Sequence, residues 1–321
     1  MVPASIESSA PGKVILFGEH AVVYGQPAIA VPVTEVQASA TVEPAPPGSG
    51  LTLVAPDLGT GFPLATAPQD EPLAAAARLT LTHLSAPEPD ATLTVRSTIP
   101  IASGLGSGTA VSTALIRALA GFLGRPVETA GCLSSADVSA LVFEVEKIHH
   151  GTPSGIDNTV VVYEQPVYFV RGRPVERLTV GAPFTLVIGD TGVRSSTRRV
   201  VEQVRRAWQR SPAHYDALFD QIGDTANQAR RAIEAGRIDL LGRLMDDNHE
   251  FLIELGVSSP ELDELVEAAR LCGAMGAKLS GAGQGGNMVA LVEDDCVEEV
   301  TEEMQEAGAV RVICTKVTTT D

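Results

Sequence analysis

The order of elements in this chain predicts an α+β fold, and three observations predict it. Strand-like segments crowd the early part of the 321-residue chain, and the stretch from Ser195 to Met275 is predominantly helical, with breaks near Pro212, Gly236 and Ser258. The chain then closes on a glycine loop, a strand, a helix and a last strand. Strands grouped first and helices later, with a terminal α/β unit, fit α+β better than a doubly wound parallel sheet.

Each element has its own signal. Lys13 to Phe17 and residues 27–42 carry β-branched residues, with alternation near Val36 to Val42, and read as strands. Glu43 to Pro72 is rich in Pro, Gly and Ala and reads as a long irregular excursion, a lid or an edge hairpin around Leu51 to Val54. Leu73 to Leu84 reads as helix and Ala91 to Ile101 as strand. Thr109 to Leu123 repeats Val111, Leu115, Ala118, Leu119 and Phe122 at helical spacing, and Gly124 with Pro126 stops it. A second helix spans Ser135 to His150: Ser134 and Asp137 offer a capping-box start, and Val138, Leu141, Val145 and Ile148 form its stripe. Strands are expected at Thr159 to Val162, Val167 to Val170 and Phe184 to Ile188, then at Asn287 to Val292 and Val310 to Val317, with a helix near Val297 to Ala307 between the last two.

Composition narrows the function. Hydrophobic residues make up 44% and charged residues 20%, enough to bury the core of one large domain or two. No apolar run nears the ~18 residues that cross a bilayer, and Met1 to Ser9 lacks the basic start and apolar stretch of a secretory signal. A cytoplasmic protein without a membrane partner is expected. The net charge of −17 argues against nucleic acid, which needs a basic face, but permits a small anionic substrate in a locally cationic pocket. The cysteines Cys132, Cys272, Cys296 and Cys314 are too scattered for a zinc site or disulfide framework. His83, His214 and His249 read as surface or satisfied core residues. Lysine is scarce, and Lys13, Lys147 and Lys278 of the four fall in or beside conspicuous segments.

Four such segments carry chemistry. Gly104-Leu-Gly-Ser-Gly108 runs straight into a helix, where glycines let a ligand approach and the first amides face an anion; a plain tight turn is the ordinary alternative. No lysine follows Gly108, so it is not a Walker A loop, and Thr109 stands where a dinucleotide fingerprint needs glycine. Glu146 and Asp157 flank His149, His150 and Gly151; most such acids are solvated or form turns, yet phosphoryl transfer needs one metal ligand and one group to orient or deprotonate the attacking hydroxyl. Lys13, Glu19 and His20 gather around Gly18 at the end of an apolar strand, either as surface charge or as a polar pocket in which Lys13 supports Asp157 and stabilises developing charge. The run Lys278-Leu-Ser-Gly-Ala-Gly-Gln-Gly-Gly-Asn287 has too many glycines for a simple turn between helix and strand.

Taken together these segments resemble the GHMP small-molecule kinases, most closely the mevalonate kinase branch. The likeness rests on residues 10–30, on Ile99 to Ser107, on Glu146 to Asn158 with its eleven-residue step from one acid to the other, on Asp190 to Arg198, and on Lys278 to Gly286. The resemblance implies a ribosomal-protein-S5-like N-terminal domain over 1–182, bearing the ATP loop, and a ferredoxin-like C-terminal domain over 183–321. It implies ATP as phosphoryl donor, Mg²⁺, mevalonate as acceptor, and it allows a homodimer. Lys13 and Asp157 would be catalytic, and Glu19, His20 and Thr197 would hold the acceptor. Ala102, Ser103, Gly104, Leu105, Gly106, Ser107 and Gly108 would cradle the phosphates, with Gly281 and Gly283 shaping the cleft. Glu146 and Ser107 would hold the metal.

Two departures stand out. The family has a second serine where Gly108 stands, so Ser107, Thr109 or water is left to replace that contact. Gln284 and Asn287 replace a glycine and a small residue. Other GHMP kinases, such as phosphomevalonate kinase or galactokinase, are the nearest alternatives, although Ala21 to Tyr24 departs from the galactokinase motif and the His150 to Asn158 run disfavours the decarboxylase relatives. A non-catalytic ATP sensor and a nicotinamide enzyme are more remote.

Overall fold

The computed structural model describes residues 5–100, 103–127, 133–150 and 153–319, with only the backbone of His149 and His150. The chain divides into two compact units, the first made of Met1–Gly12, Val36–Pro100 and Gly106–Glu164, the second of Lys13–Glu35, Ile101–Leu105 and Gln165–Asp321. Strands β1 (Ile6–Phe17) and β2 (Ala28–Pro44) contribute residues to both.

In the first unit, β3 (Leu51–Ala55) and β4 (Thr60–Pro63) form a hairpin, and α1 (Pro72–His83) follows. β5 (Ala91–Ser97) pairs antiparallel with the end of β2, from Ala38 opposite Ser97 to Pro44 opposite Ala91, and parallel with β3. The excursion after Glu43 therefore contains the expected hairpin, and the alternate residues Leu51, Leu53 and Ala55 are buried while their neighbours are not. α2 (Ser107–Phe122), α3 (Ser135–His150) and α4 (Ile156–Tyr163) complete the unit and pack on one another, with α1 against α2 and α3. The expected capping box at the start of α3 forms: Ser134 N donates to Asp137 Oδ2 at 2.9 Å and Asp137 N to Ser134 Oγ at 3.1 Å.

Two expectations fail here. Thr159 to Val162 is helix α4 rather than strand, which moves Asp157 from a loop into a first helical turn. A short apolar run does not declare its period, and here Val160, Val161 and Val162 are all buried, in a helix packed on α2 and α3 that overrides their β-branched preference. Strand β5 stops at Ser97, short of the expected Ile101, which itself lies outside the described residues.

In the second unit, β6 (Val167–Phe169) pairs with the start of β2 and with β7 (Glu176–Arg177). Then come β8 (Phe184–Asp190), the helices α5 (Thr197–Arg210), α6 (Pro212–Glu234), α7 (Ile238–Glu254) and α8 (Pro260–Leu271), β9 (Gly276–Ser280), β10 (Asn287–Val292), α9 (Val297–Glu306) and β11 (Arg311–Val317). The four strands align in the order β11-β8-β10-β9, antiparallel throughout. Numbered within the sheet this is 4-1-3-2, the split arrangement of a ferredoxin-like unit. α8 packs on β9, β10 and α9, and Leu262, Leu265, Val266, Leu279, Met288 and Met304 are among its core. Strand β9 is the other correction: the glycine loop joins two strands and not a helix to a strand. Among the described residues no helix is long and apolar enough to cross a membrane.

Candidate active site

In the first unit the site residues lie at the starts of α2 and α4 and, for Glu146, near the end of α3. Gly106 caps α2 from the left-handed region at φ 76°, natural for glycine, and releases the chain into Ser107, Gly108 and Thr109. The first amides of that helix have no intrahelical acceptors and suit an anion. A Cβ at Gly108 would meet nothing within 4 Å, so the space beside the turn is open. Thr109 is buried and its Oγ1 donates to Glu146 Oε1 on α3. Glu146 is itself only 6% exposed, so it is no solvated surface acid, whatever its place off the apolar stripe suggests. Asp157 lies half-buried in the first turn of α4, where the helix dipole favours an acid. Its neighbour Asn158 fixes that turn to α3, donating from Nδ2 to Ser139 Oγ at 2.7 Å and to the Ser139 carbonyl at 3.1 Å. The helix that carries Glu146 and the one that carries Asp157 are thus bolted together.

In the second unit, Lys13, Glu19 and His20 are 4%, 1% and 7% exposed, which rules out loose surface charge at a strand end. Lys13 N donates to the Leu105 carbonyl at 3.0 Å. Ser103 is buried, and its carbonyl accepts from Asn287 Nδ2, so Asn287 ties this segment to the glycine hairpin. Gly104 belongs to the same turn; Ala102 lies outside the described residues. Lys278, fully buried on β9, donates to Glu19 Oε1 and to the Leu279 carbonyl, and neither contact was foreseen from the sequence. The signal was present all the same: one of four lysines stands between Ala277 and Leu279 in an apolar strand.

The loop between β9 and β10 holds its shape through contacts with its own unit. A Cβ at Gly283 would fall 2.0 Å from the Val257 carbonyl oxygen, so that glycine is required by the connection between α7 and α8. At Gly281 a Cβ would meet nothing within 4 Å, and the open face of the loop is there. Gln284 adopts φ 57° and donates from Nε2 to the Ser258 carbonyl at 2.8 Å, which anchors a residue that departs from the family pattern. Thr197 is exposed at the start of α5, directly after the capping residue Ser196. Lys13 and Thr197 belong to the second unit, Glu146 and Asp157 to the first.

His20 Nε2 lies 2.9 Å from the Ala282 carbonyl; burial pushes its pKa down to about 4, against the pull of that carbonyl. It is therefore neutral near pH 7 and donates its Nε2 proton to Ala282. Burial, with the charges of Arg270 and Lys278, also lowers His249 to about 4, against Asp263. An unfolded histidine takes up its proton near pH 6.5. The stability these two contribute is therefore complete above pH 6.5 and is lost as pH falls towards 4, on the order of 3 kcal/mol for each. Urea unfolding at pH 7.5 and pH 5 should show the drop, and His249→Asn should shrink it. Equal midpoints at both pH values would contradict the assignment.

An open helix start with a buried acid tied to its first turn suits a phosphotransferase that handles a nucleotide. Comparison with known proteins gives the family. The profile for the GHMP kinases N terminal domain matches residues 72–165, and that for the GHMP kinases C terminal matches residues 229–310. The chain belongs to the GHMP kinases. It is 34% identical over 326 residues to a protein of Pyrococcus horikoshii named mevalonate kinase, covering 95% of this chain and 94% of that one. The crystal structure of L. major mevalonate kinase in complex with R-mevalonate superposes with TM-score 0.83 at 29% identity, covering 98% of this chain and 96% of the other. The Methanococcus jannaschii mevalonate kinase structure gives TM-score 0.82 at 25% identity and 99% coverage of both chains.

Proposed function

We propose that this protein transfers the γ-phosphoryl group of ATP to the 5-hydroxyl of mevalonate, releasing 5-phosphomevalonate and ADP. What carries the choice of acceptor is the likeness, over almost the whole chain, to relatives named mevalonate kinase. Asp157 orients the hydroxyl and accepts its proton, and Lys13 stabilises the negative charge that grows on the transferred group. Glu19, His20 and Thr197 hold the acceptor. Amides of Ser103 to Gly108, with Ala102 before them, receive the phosphate oxygens, and Gly281 and Gly283 shape the cleft. Because the transition state asks for little covalent help from the protein, holding donor and acceptor in line is the larger part of the task.

Mg²⁺ fits the donor set of the first unit. Glu146 offers a buried carboxylate already bonded to the Thr109 hydroxyl, and Ser107 opens the helix that carries Thr109. One carboxylate and a hydroxyl are the sparse protein share that this ion takes when phosphates and water supply the rest. We assign Glu146 and Ser107 to hold it, with Thr109 positioning the acid. Bound there, the ion neutralises charge on the phosphate oxygens.

An ADP-release assay with mevalonate, phosphomevalonate, galactose and homoserine tests the proposal. Mevalonate should exceed the others in kcat/KM by about a hundredfold or more, since a site built to bind specific polar groups rejects substrates that lack them. Faster turnover of phosphomevalonate or galactose would move the protein to another branch of the family. ATP binding without ADP release would make it a sensor.

A further inference from the structure

The second unit holds an acid–base pair of which the chemistry above uses only the acid. Lys278 reaches across from β9 to Glu19, on the turn after β1, and both side chains are buried, at 0% and 1% exposure. Its Nζ also donates to the Leu279 carbonyl at 2.7 Å, so the ammonium has a fixed direction. The next residue is pinned to the same hairpin through His20 Nε2 and the Ala282 carbonyl. Residues 19 and 20 are therefore held by the β9–β10 hairpin from two sides.

Among the described residues, one of the two carboxylate oxygens is bonded and the other is not. Glu19 Oε1 accepts from Lys278, whereas Oε2 is equally buried and has no hydrogen-bond partner among the described residues. A buried carboxylate oxygen without a donor is unfavourable, and natural folds seldom leave one unless something else arrives to bond it. A substrate hydroxyl is such a donor.

We infer that Lys278 is a positioning residue: it fixes Glu19 by Oε1 so that Oε2 faces a hydroxyl of the acceptor alcohol. This rests on the proposed function above, in which Glu19 binds the acceptor. Burial alone pushes the Glu19 carboxyl up and the Lys278 ammonium down, and the contact between them pulls both back. Lys13 adds a second positive charge near Glu19, and neighbouring His20 is neutral near pH 7. Without Lys278 the acid loses its closest cation and its orientation together.

The test uses the full-length enzyme carrying Lys278→Met, Lys278→Arg, Glu19→Gln, and Glu19→Gln with Lys278→Met. Whichever alcohol the wild type phosphorylates is the acceptor followed. Lys278→Met should raise the KM for that alcohol about 10- to 50-fold, the value of one hydrogen bond to a charged group, and leave the KM for ATP within about twofold. The acid limb of kcat/KM for the alcohol should move up by about one to two pH units, since an opposite charge has been taken from beside a carboxyl. Lys278→Arg should restore most of both. A variant with Lys278→Met alone leaves a buried charge unpaired and is liable to unfold, whereas the double variant neutralises both partners. The double variant should then bind the alcohol no worse than Glu19→Gln alone, because Lys278 acts through Glu19. Losses that multiply in the double variant, or equal losses in kcat and in both KM values, would reduce Lys278 to a packing residue. A folded Lys278→Met enzyme with an unchanged KM for the alcohol would overturn the inference outright. Failure of the wild type on mevalonate alone would instead count against the proposed acceptor and leave this test intact.

Discussion

Asp157→Asn protein is expected to bind ATP as the wild type does and to turn over mevalonate about 10³- to 10⁴-fold more slowly, the upper range for losing a positioned general base. Asparagine keeps the size of the side chain and can still receive a hydroxyl hydrogen bond, but it cannot take the proton. The substitution leaves the local fold its supports. Gly155 caps α4, Thr159 Oγ1 donates to the Gly155 carbonyl at 2.7 Å, and Asn158 keeps its two bonds to Ser139. ATP affinity by titration calorimetry and kcat by ADP release separate binding from chemistry. A variant with near-normal kcat would remove Asp157 from the reaction.

The second large effect falls on Glu146. Glu146→Ala should lower kcat about 10²- to 10³-fold at moderate Mg²⁺, because it deletes the proposed metal ligand and strands the buried Thr109 hydroxyl. Glu146→Gln is the sharper variant. Its amide oxygen still accepts from Thr109, so the packing between α2 and α3 survives while the charge is gone. The Mg²⁺ concentration for half-maximal activity should rise about tenfold or more in Glu146→Gln. Thr109→Val, which keeps the carboxylate and removes only its donor, should shift that concentration in the same direction by less. If Glu146→Gln responds to Mg²⁺ as the wild type does, the ion is held elsewhere.

Helices were more legible in this sequence than strands, and motifs more than contacts. The start of α3 announced itself because Ser134 and Asp137 satisfy backbone donors locally, without tertiary help. The helical run from Ser195 to Met275 was expected to break near Pro212, Gly236 and Ser258, and the boundaries between the four helices from Thr197 to Leu271 fall close to these positions. α4 is not legible because Val160 to Val162 is an unbroken apolar run, and burial on every side erases periodicity. β9 was missed because five residues with a glycine, an alanine and a lysine carry no alternation, and its pairing with β10 is what makes it a strand. The candidate site followed the same division. Residue types and spacing pointed to Lys13, Glu19, His20, Glu146 and Asp157. That Glu146 is bonded by Thr109, or Glu19 by a lysine 259 positions along the chain, depends on tertiary approach and leaves no local trace.

The grouping of segments also bears on how the molecule can be divided. The chain passes from one unit to the other after residues 12, 35, 100, 105 and 164, so no single cut liberates either unit. A piece beginning at Gln165 would contain the four-stranded sheet and its helices but none of residues 13–35. It would present the ammonium of Lys278 to an apolar interior with its counter-ion left on the other fragment. Splitting this enzyme into halves is therefore a task for two complementing peptides, produced together, rather than for two independent modules.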